Sequence, residues 1–483
     1  MGDNLKEKMM GALAWSSIDR FGQQAVQFLI GLVLARLLTP ADFGLIGMVM
    51  VFSALSFVLV ESGFGLALVR KKDANETDYN TIFYFNIFTS LLLYTILFFS
   101  APAIADFFNQ PQLVFIGRVI FLAILFNALY LIPFIKASKI LDYKTIAKVN
   151  LISTIVSGIF GATLAILHFG VWALVAQQVL YHFFRMIFFH LFVKWKPKAI
   201  FSFKVIREFW KFTIHLLGTS ILNVLFNNLY VLLLSRYYPI KQVGYYSQAN
   251  KLSETFNFSF QAILVGSTYS LFAQIQDDDE RFRHIFRQIV QKVSIVTFPI
   301  MLVLIAIAKP FIFVLLSVKW MEAVLFFQLL CFASLFAPLF VLNINALNAR
   351  GESKLTFTVE IIKKILIILS VVICFQFGIN TMLWGYVFAN FASYLISILF
   401  LKNNLKHYIK HQITDFMGAV FIGVFIAICD FSLSFIINNN YLLLATQMLL
   451  SIVLYIGIIK LFYNELYNKS IGFINKKLFG RTE

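Results

Sequence analysis

Long apolar segments and short polar turns alternate along the whole chain. Each apolar segment holds about 20 residues or more, which is enough for a helix to cross a hydrocarbon core of roughly 30 Å. The pattern therefore predicts an all-α, polytopic membrane protein with about fourteen transmembrane helices. The predicted spans are 13–38, 44–69, 81–103, 113–135, 148–167, 170–193, 212–235, 245–272, 289–308, 322–347, 355–377, 381–401, 416–436 and 441–462.

The first two spans are joined by a turn over residues 39–43 and are unusually polar for a lipid environment. An ionised side chain at mid-bilayer costs on the order of 3 kcal/mol, so such spans usually face a bundle interior or a water-filled path. These two spans predict a transporter with a polar interior. The residues concerned are Asp19, Arg20, Gln23, Gln24 and Gln27 in the first span and Glu61 in the second.

The composition agrees with a membrane domain and gives no sign of an enzyme. Of the 483 residues, 60% are hydrophobic and only 13% are charged, and the mean hydropathy is +0.83. The three cysteines all fall inside apolar segments, so they indicate neither a disulfide framework nor a thiolate metal site. No loop is long enough for a catalytic domain, and the chain carries no zincin, nucleophile-elbow or phosphate-loop motif. We expect no enzymatic activity, no cofactor and no metal.

The net charge of +17 reports topology rather than nucleic-acid binding. Of the 40 lysines and arginines, 31 fall in the segments on the side of the N-terminus and five on the other side. Cytoplasmic loops carry such an excess of basic residues. We therefore expect a bacterial cytoplasmic (inner) membrane protein with both termini in the cytoplasm.

The predicted spans divide into two lobes that repeat in parallel. Residues 1–193 form an N-terminal lobe of six spans, 194–211 a cytoplasmic amphipathic linker, 212–401 a C-terminal lobe of six spans, and 402–483 a last helix pair with a basic cytoplasmic tail. At an offset of 200 residues, Leu34-Ala35-Arg36 and Gly44 match Leu234-Ser235-Arg236 and Gly244. The same offset sets Gln23 against Asn223 and Gln27 against Asn227. The expected architecture is two pseudo-symmetric lobes around a central cavity.

Ionisable and amide side chains inside the spans are the candidates for a site. Arg20, Arg185 and Lys251 would bind an anionic substrate, and Asp19, Glu61 and Glu254 would bind a coupling cation or serve a structural role. The competing interpretation is that each belongs to a buried structural pair, or lies near a helix end and extends to the interface.

Several motifs resemble those of the bacterial polysaccharide and O-antigen flippases, which belong to the multidrug/oligosaccharidyl-lipid/polysaccharide exporter superfamily. They run from the first predicted span to the eleventh, and the resemblance beyond Lys402 is one of hydropathy alone. The motifs are residues 34–44 (LARLLTPADFG), residues 62–65 (SGFG) with 71–73 (KKD), residues 169–174 (FGVWAL), residues 244–247 (GYYS), and residues 319–320 (KW) with 345–351 (NALNARG).

The resemblance implies a fold of fourteen helices in two lobes that open alternately to either side. It also implies transport of an undecaprenyl-diphosphate-linked oligosaccharide from the inner to the outer leaflet, for O-antigen, capsule or exopolysaccharide assembly. The implied partners are this lipid, the bilayer, a polysaccharide polymerase and glycosyltransferases, without nucleic acid. In related lipid II flippases, arginines on the first and eighth spans are the expected diphosphate ligands; Arg20 matches the first, whereas the eighth span has Lys251.

Under this interpretation the amides of four residues would bind the sugar: Gln23, Gln27, Asn223 and Asn227. The identity of the coupling ion, Na⁺ or H⁺, stays open. One alternative is a cation-coupled multidrug or small-molecule antiporter of the same fold, which predicts an acidic cavity. Another is a membrane glycosyl-polymerase or ligase, which would need a large extracytoplasmic loop that the chain does not have.

Overall fold

The computed structural model describes residues 2–61, 63–405 and 409–463, which form nineteen α-helices and two short 3₁₀ helices at Val318–Trp320 and Phe375–Phe377. Every predicted span is mainly helical. The predicted tail beyond residue 463 lies outside the described residues. The α-helices are α1 (Gly2–Leu37), α2 (Pro40–Glu61), α3 (Phe64–Arg70), α4 (Glu76–Phe107), α5 (Leu113–Ile120), α6 (Leu122–Lys139), α7 (Tyr143–Ile166), α8 (Val171–Val193), α9 (Phe203–Asn227), α10 (Leu229–Tyr237), α11 (Ile240–Gln274), α12 (Asp279–Ala306), α13 (Ala308–Leu316), α14 (Ala323–Ser334), α15 (Ala337–Ala349), α16 (Ser353–Cys374), α17 (Ile379–Leu405), α18 (Ile409–Leu433) and α19 (Asn440–Phe462).

The all-α, multi-pass membrane fold expected from the sequence is confirmed, but the count of fourteen spans is not. Within the described residues, eleven helical stretches are long and apolar enough to cross a membrane. The three predicted spans outside this set correspond to α1, α11 and α16. Polar residues set these helices apart: α16, for example, carries Glu360, Lys363 and Lys364 within two turns.

The chain forms two compact units, one up to Ser247 and the other from Gln248 onward. The border falls within α11, whereas the sequence places the lobe border at 194–211. In the first unit, α9 packs against α2, α3 and α4. Val205 and Phe209 of α9 share a buried core with Phe64, Phe83 and Trp195. The predicted division into lobes of spans 1–6 and 7–12 stays a prediction.

The turn between the first two spans is shorter than predicted. Helix α2 begins at Pro40, so only Leu38 and Thr39 separate it from α1. Proline is favoured at the first position of a helix because its missing N–H would have no intrahelical partner there. Thr39 and Asp42 bond reciprocally: the backbone N–H and the hydroxyl of Thr39 donate to the Asp42 carboxylate at 2.9 and 2.7 Å. These bonds fix the start of α2.

Helix boundaries preserve the 200-residue offset seen in the sequence. Helix α1 ends at Leu37 and α10 at Tyr237, while α2 begins at Pro40 and α11 at Ile240. Equivalent segments of the two repeats therefore end and restart their helices at equivalent positions.

Residues 194–211, predicted to form an amphipathic linker, divide between an irregular segment and the start of α9. Residues 194–202, here called the strap, run without regular structure across the start of α4, and the remaining residues are the first turns of α9. Trp195 Nε1 donates to Glu76 at 3.2 Å, and the backbone N–H of Ser202 donates to Thr81 Oγ1 at 3.1 Å. These bonds hold the strap against α4.

The second predicted span is interrupted rather than continuous. Helix α2 ends at Glu61, α3 begins at Phe64, and Gly63 between them has a left-handed backbone with φ of 72°. Glycine adopts this conformation without strain. Non-helical backbone at membrane depth is tolerated where it is buried in protein or lines a water-filled cavity. The break therefore points to a cavity beside Glu61.

Candidate functional site

A cavity of about 540 Å³ opens beside this helix break, within the first unit. Helices α2, α3, α6, α8 and α9 supply its walls, which are mostly apolar. Its polar lining comes from Glu61, Tyr130, Ser138, Arg185 and Ser220. Two of the predicted site residues, Glu61 and Arg185, thus face one cavity although 124 positions separate them in the chain.

Glu61 owes its position to the break at Gly63. As the last residue of α2 it lies at the cavity edge, and its side chain is exposed there. Glu61 and Arg185 attract each other electrostatically. Among the described residues, however, the Glu61 carboxylate accepts no hydrogen bond and lies in no ion pair.

The Arg185 guanidinium is held by aromatic residues. Its Nη1 donates to the Tyr130 hydroxyl at 2.8 Å. Its carbon Cζ lies 4.4 Å from the ring centroid of Tyr130, 5.3 Å from that of Tyr181 and 5.7 Å from that of Phe189. Its Nε is buried and has no partner in the described part of the chain. Of the five N–H groups of this arginine, one donates a hydrogen bond to the residues that the structure describes.

A second polar cluster surrounds Asp19, where α1 meets α7 and α8. Gln23 Nε2 donates to Asp19 Oδ1 at 2.7 Å, and Asn150 Nδ2 donates to the same carboxylate at 3.1 and 3.2 Å. The Tyr181 hydroxyl donates to Gln23 Oε1 at 3.3 Å. Because the Tyr181 ring also faces Arg185, this Asp19 cluster and the cavity form one continuous polar region.

The remaining predicted residues of the first unit do not line this cavity. Arg20 is exposed on α1, and Gln27 is half-buried on the same helix. Asn223 and Asn227 are exposed on α9, and therefore belong to the first unit although the sequence assigns them to the C-terminal lobe. The roles of these four residues in binding stay predictions.

Lys251 and Glu254 belong to the second unit, on α11. Both side chains are exposed. Glu254 Oε1 accepts a hydrogen bond from Asn250 Nδ2 at 2.9 Å, one helical turn earlier. Their predicted roles, in binding the diphosphate and in coupling, stay predictions as well.

Outside the spans, Lys71 ties three helices of the first unit together. Its Nζ lies 3.1 Å from the Asp78 carboxylate on α4 and 3.2 Å from that of Glu208 on α9. Burial lowers the pKa of Lys71, but the hydrogen bonds to both carboxylates outweigh burial and raise it above its usual value. Lys139 Nζ on α6 donates to the backbone oxygen of Lys71 at 2.6 Å. The end of α3 is thereby fixed.

Sequence reasoning missed the neutral residues that organise the site. Asn127 and Tyr130 lie one turn apart on α6, and His182 lies one turn before Arg185 on α8. Asn150, on α7, is the partner of Asp19. The available signal was helical spacing of polar side chains inside apolar spans. Among the described residues, no group of three or more His, Cys, Asp or Glu side chains is placed to hold a metal ion.

Comparison with known proteins shows which family these features belong to. Residues 33–325 match the family described as "Polysaccharide biosynthesis protein". The chain is 25% identical to the teichuronic acid biosynthesis protein TuaB of Bacillus subtilis, over 89% of this chain and 92% of that protein. It is 26% identical to the lipopolysaccharide biosynthesis protein WzxC of Escherichia coli, over 77% of this chain and 76% of that protein.

A solved structure shares the fold. The lipid II flippase MurJ in its inward closed conformation superposes with a TM-score of 0.71 at 16% identity, covering 93% of this chain and 99% of that one. At this identity the likeness concerns the fold alone. The family resemblance inferred from the sequence motifs is confirmed by the match over more than half of the chain: the protein belongs to the polysaccharide biosynthesis protein family.

Proposed function

We propose that this protein is a transporter, rather than an enzyme, that flips an undecaprenyl-diphosphate-linked oligosaccharide from the cytoplasmic to the outer leaflet for cell-surface polysaccharide assembly. The observation that carries the proposal is Arg185, a cation at the wall of a membrane-embedded cavity. Its guanidinium donates to a neutral hydroxyl, that of Tyr130. A guanidinium with free N–H groups suits a phosphate, which it binds with two parallel hydrogen bonds.

The size and lining of the cavity suit one part of such a lipid. A volume of about 540 Å³ accommodates a diphosphate and a neighbouring sugar, but not a whole oligosaccharide with its prenyl chain. The apolar walls formed by residues such as Val58, Leu66 and Leu216 would contact the start of the prenyl chain. The remaining sugars would bind to the predicted amides Gln27, Asn223 and Asn227, and the rest of the prenyl chain would stay in lipid.

The roles of the relatives support this substrate class. TuaB is a teichuronic acid biosynthesis protein, WzxC is a lipopolysaccharide biosynthesis protein, and MurJ is a lipid II flippase. We further propose that the protein lies in the bacterial cytoplasmic membrane with both termini inside. It would transport its substrate by alternating access between the two sides of the membrane. Asp19, Glu61 and Glu254 are the proposed carboxylates for a coupling cation, and a polysaccharide polymerase and glycosyltransferases are the proposed protein partners.

Transport in proteoliposomes tests the proposal directly. A fluorescent undecaprenyl-diphosphate oligosaccharide would be offered to wild type, Arg185→Ala and Arg20→Ala. Arg118→Ala is the matched control, because that arginine also lies over an aromatic ring, Phe98 at 4.3 Å, but donates to a backbone oxygen away from the cavity.

The proposal expects protein-dependent flipping that is lost in Arg185→Ala and kept in the Arg118 control. Flipping that survives both Arg185→Ala and Arg20→Ala would retain the function and reject the site. A wild-type protein that moves no such lipid but exchanges small organic cations for protons or sodium would replace the proposal with the antiporter.

A further inference from the structure

The hydroxyl group of Tyr130 is saturated by three side chains beside the cavity. Asn127 Nδ2 and Arg185 Nη1 each lie 2.8 Å from it, and His182 Nδ1 lies 3.2 Å away. Amide and guanidinium nitrogens only donate, whereas a hydroxyl has one proton and two lone pairs. The hydroxyl therefore accepts from Asn127 and Arg185 and donates to His182. It has no capacity left for a ligand, so any role of Tyr130 in transport acts through Arg185.

The face of the Tyr130 ring also contacts the Arg185 guanidinium and helps to hold it in place. Tyr130 is only 2% exposed, and its ring stacks on that of Phe189 with centroids 5.7 Å apart. Aromatic faces attract a cation without cancelling its charge. Arg185 is thus held by neutral groups and keeps its full positive charge at the cavity wall.

Glu61 makes this arrangement unexpected. Its carboxylate faces the same cavity and is attracted to Arg185, yet within the described residues the two form no ion pair. Opposite charges away from bulk water attract each other strongly. A guanidinium free to move would therefore pair with Glu61, and its charge would no longer be available to a phosphate.

We propose that Tyr130 is a positioning residue that keeps Arg185 apart from Glu61 and so keeps the cavity ready for an anion. The inference rests on the proposed function, because it concerns how the diphosphate is bound. Without the hydroxyl, Arg185 loses the one hydrogen bond that it makes within the described part of the chain, and turns to Glu61. The resulting ion pair competes with the diphosphate of the substrate.

The experiment measures initial flipping rates against the concentration of a fluorescent undecaprenyl-diphosphate oligosaccharide in proteoliposomes. The variants are Tyr130→Phe, Glu61→Gln and the double variant. Tyr455→Phe is the matched control, because it removes a tyrosine hydroxyl that donates to the backbone oxygen of Ile295 in the second unit. Melting temperatures of all variants show which of them are folded.

We expect Tyr130→Phe to raise the apparent KM about 10-fold with kcat nearly unchanged, the signature of lost binding. Adding Glu61→Gln removes the competing charge. The apparent KM of the double variant should therefore lie within about 3-fold of the KM of Glu61→Gln alone. A purely structural tyrosine would not be rescued by a change at Glu61. An unchanged KM in Tyr130→Phe, or a double variant still about 10-fold above Glu61→Gln, overturns the inference.

The outcomes separate this inference from the proposed function. If wild type flips no diphosphate lipid, the proposed function fails; if wild type flips it and the rescue is missing, only the role of Tyr130 fails. If Tyr130→Phe alone does not fold, Glu61→Gln and the double variant carry the test. Equal KM values in these two proteins support the inference, and a further 10-fold rise in the double variant contradicts it.

Discussion

Gly44 and Gly244, which are 200 residues apart, lie against each other's backbone. A Cβ atom on Gly244 would overlap the backbone oxygen of Pro40, and one on Gly44 would overlap that of Ile240. Each such Cβ would also lie 3.2–3.3 Å from the backbone nitrogen of the other glycine. The starts of α2 and α11 therefore meet reciprocally, at equivalent positions of the sequence repeat.

This contact predicts that Gly244→Ala is poorly tolerated. Neither backbone can give way as a side chain would, so we expect a loss of about 1–3 kcal/mol in the free energy of unfolding, typical of overpacking. Gly457→Ala on α19 is the control, because a Cβ there meets nothing within 4 Å. Alanine should be neutral or stabilising at that position. The two variants are compared by their melting temperatures in detergent. An equal change in melting temperature for both would contradict the backbone contact.

The Asp19 cluster predicts different effects for two substitutions at one position. Asp19→Asn keeps an oxygen that accepts from Gln23 and Asn150, so the fold should melt within a few degrees of wild type. Asp19→Leu leaves the buried Asn150 amide without an acceptor, which costs about 1–3 kcal/mol. If both variants have the same melting temperature, the hydrogen bonds to Asp19 do not stabilise the packing of α1 against α7.

An ion pair in the second unit, between the half-exposed Arg287 and the buried carboxylate of Asp415, gives a third prediction. Arg287 Nε and Nη2 donate to Asp415 at 2.9 and 2.7 Å, and the Asp415 side chain is only 1% exposed. Arg287→Met leaves that carboxylate without a cation and should cost about 3 kcal/mol, whereas adding Asp415→Leu should recover most of the loss. Arg283→Met is the control, since among the described residues that side chain bonds to the backbone of its own helix alone. Thermal unfolding of the single and double variants measures the recovery.

The raised pKa of Lys71 makes part of the stability depend on pH. A lysine whose pKa is higher in the folded state stabilises the fold below its unfolded pKa of about 10.4, and this contribution is lost as the pH rises through the folded value. Lys71→Met should therefore be less stable at pH 7, by about 1 kcal/mol because Glu208 is half-exposed. The difference from wild type should shrink above about pH 11. Lys72→Met, an exposed neighbour, should show no such change, and a gap that stays constant to pH 11.5 would exclude the ion pairs as its cause.

Hydropathy predicted the helices because residues in contact with lipid must be apolar, and this requirement is visible in the sequence. It also singled out Arg185 and Glu61, since each ionisable residue in a span is costly. That the two share a cavity was not predictable, because this depends on the break at Gly63 and on packing between α2 and α8. The described residues contain eleven apolar helical stretches instead of the fourteen predicted spans, because the polar residues that indicate function also lower hydropathy.

Tyr130 escaped prediction because tyrosine is neutral and common in membrane proteins, so no pattern distinguishes it. Gln23 was predicted to bind sugar from its polarity alone. In the structure it donates to Asp19 and accepts from Tyr181. Polarity identifies residues that need a partner, and only the fold shows that this partner can come from the protein.

The strap and α9 have a consequence for how the chain is made. Phe64 and Phe83 belong to a core that also needs Val205 and Phe209, residues synthesised after the first eight helices. While α9 is still inside the ribosome or the insertion machinery, that core is open on one side and Lys71 lacks Glu208. The first unit therefore cannot mature one hairpin at a time: its assembly must wait until the nascent chain has delivered α9 to the membrane.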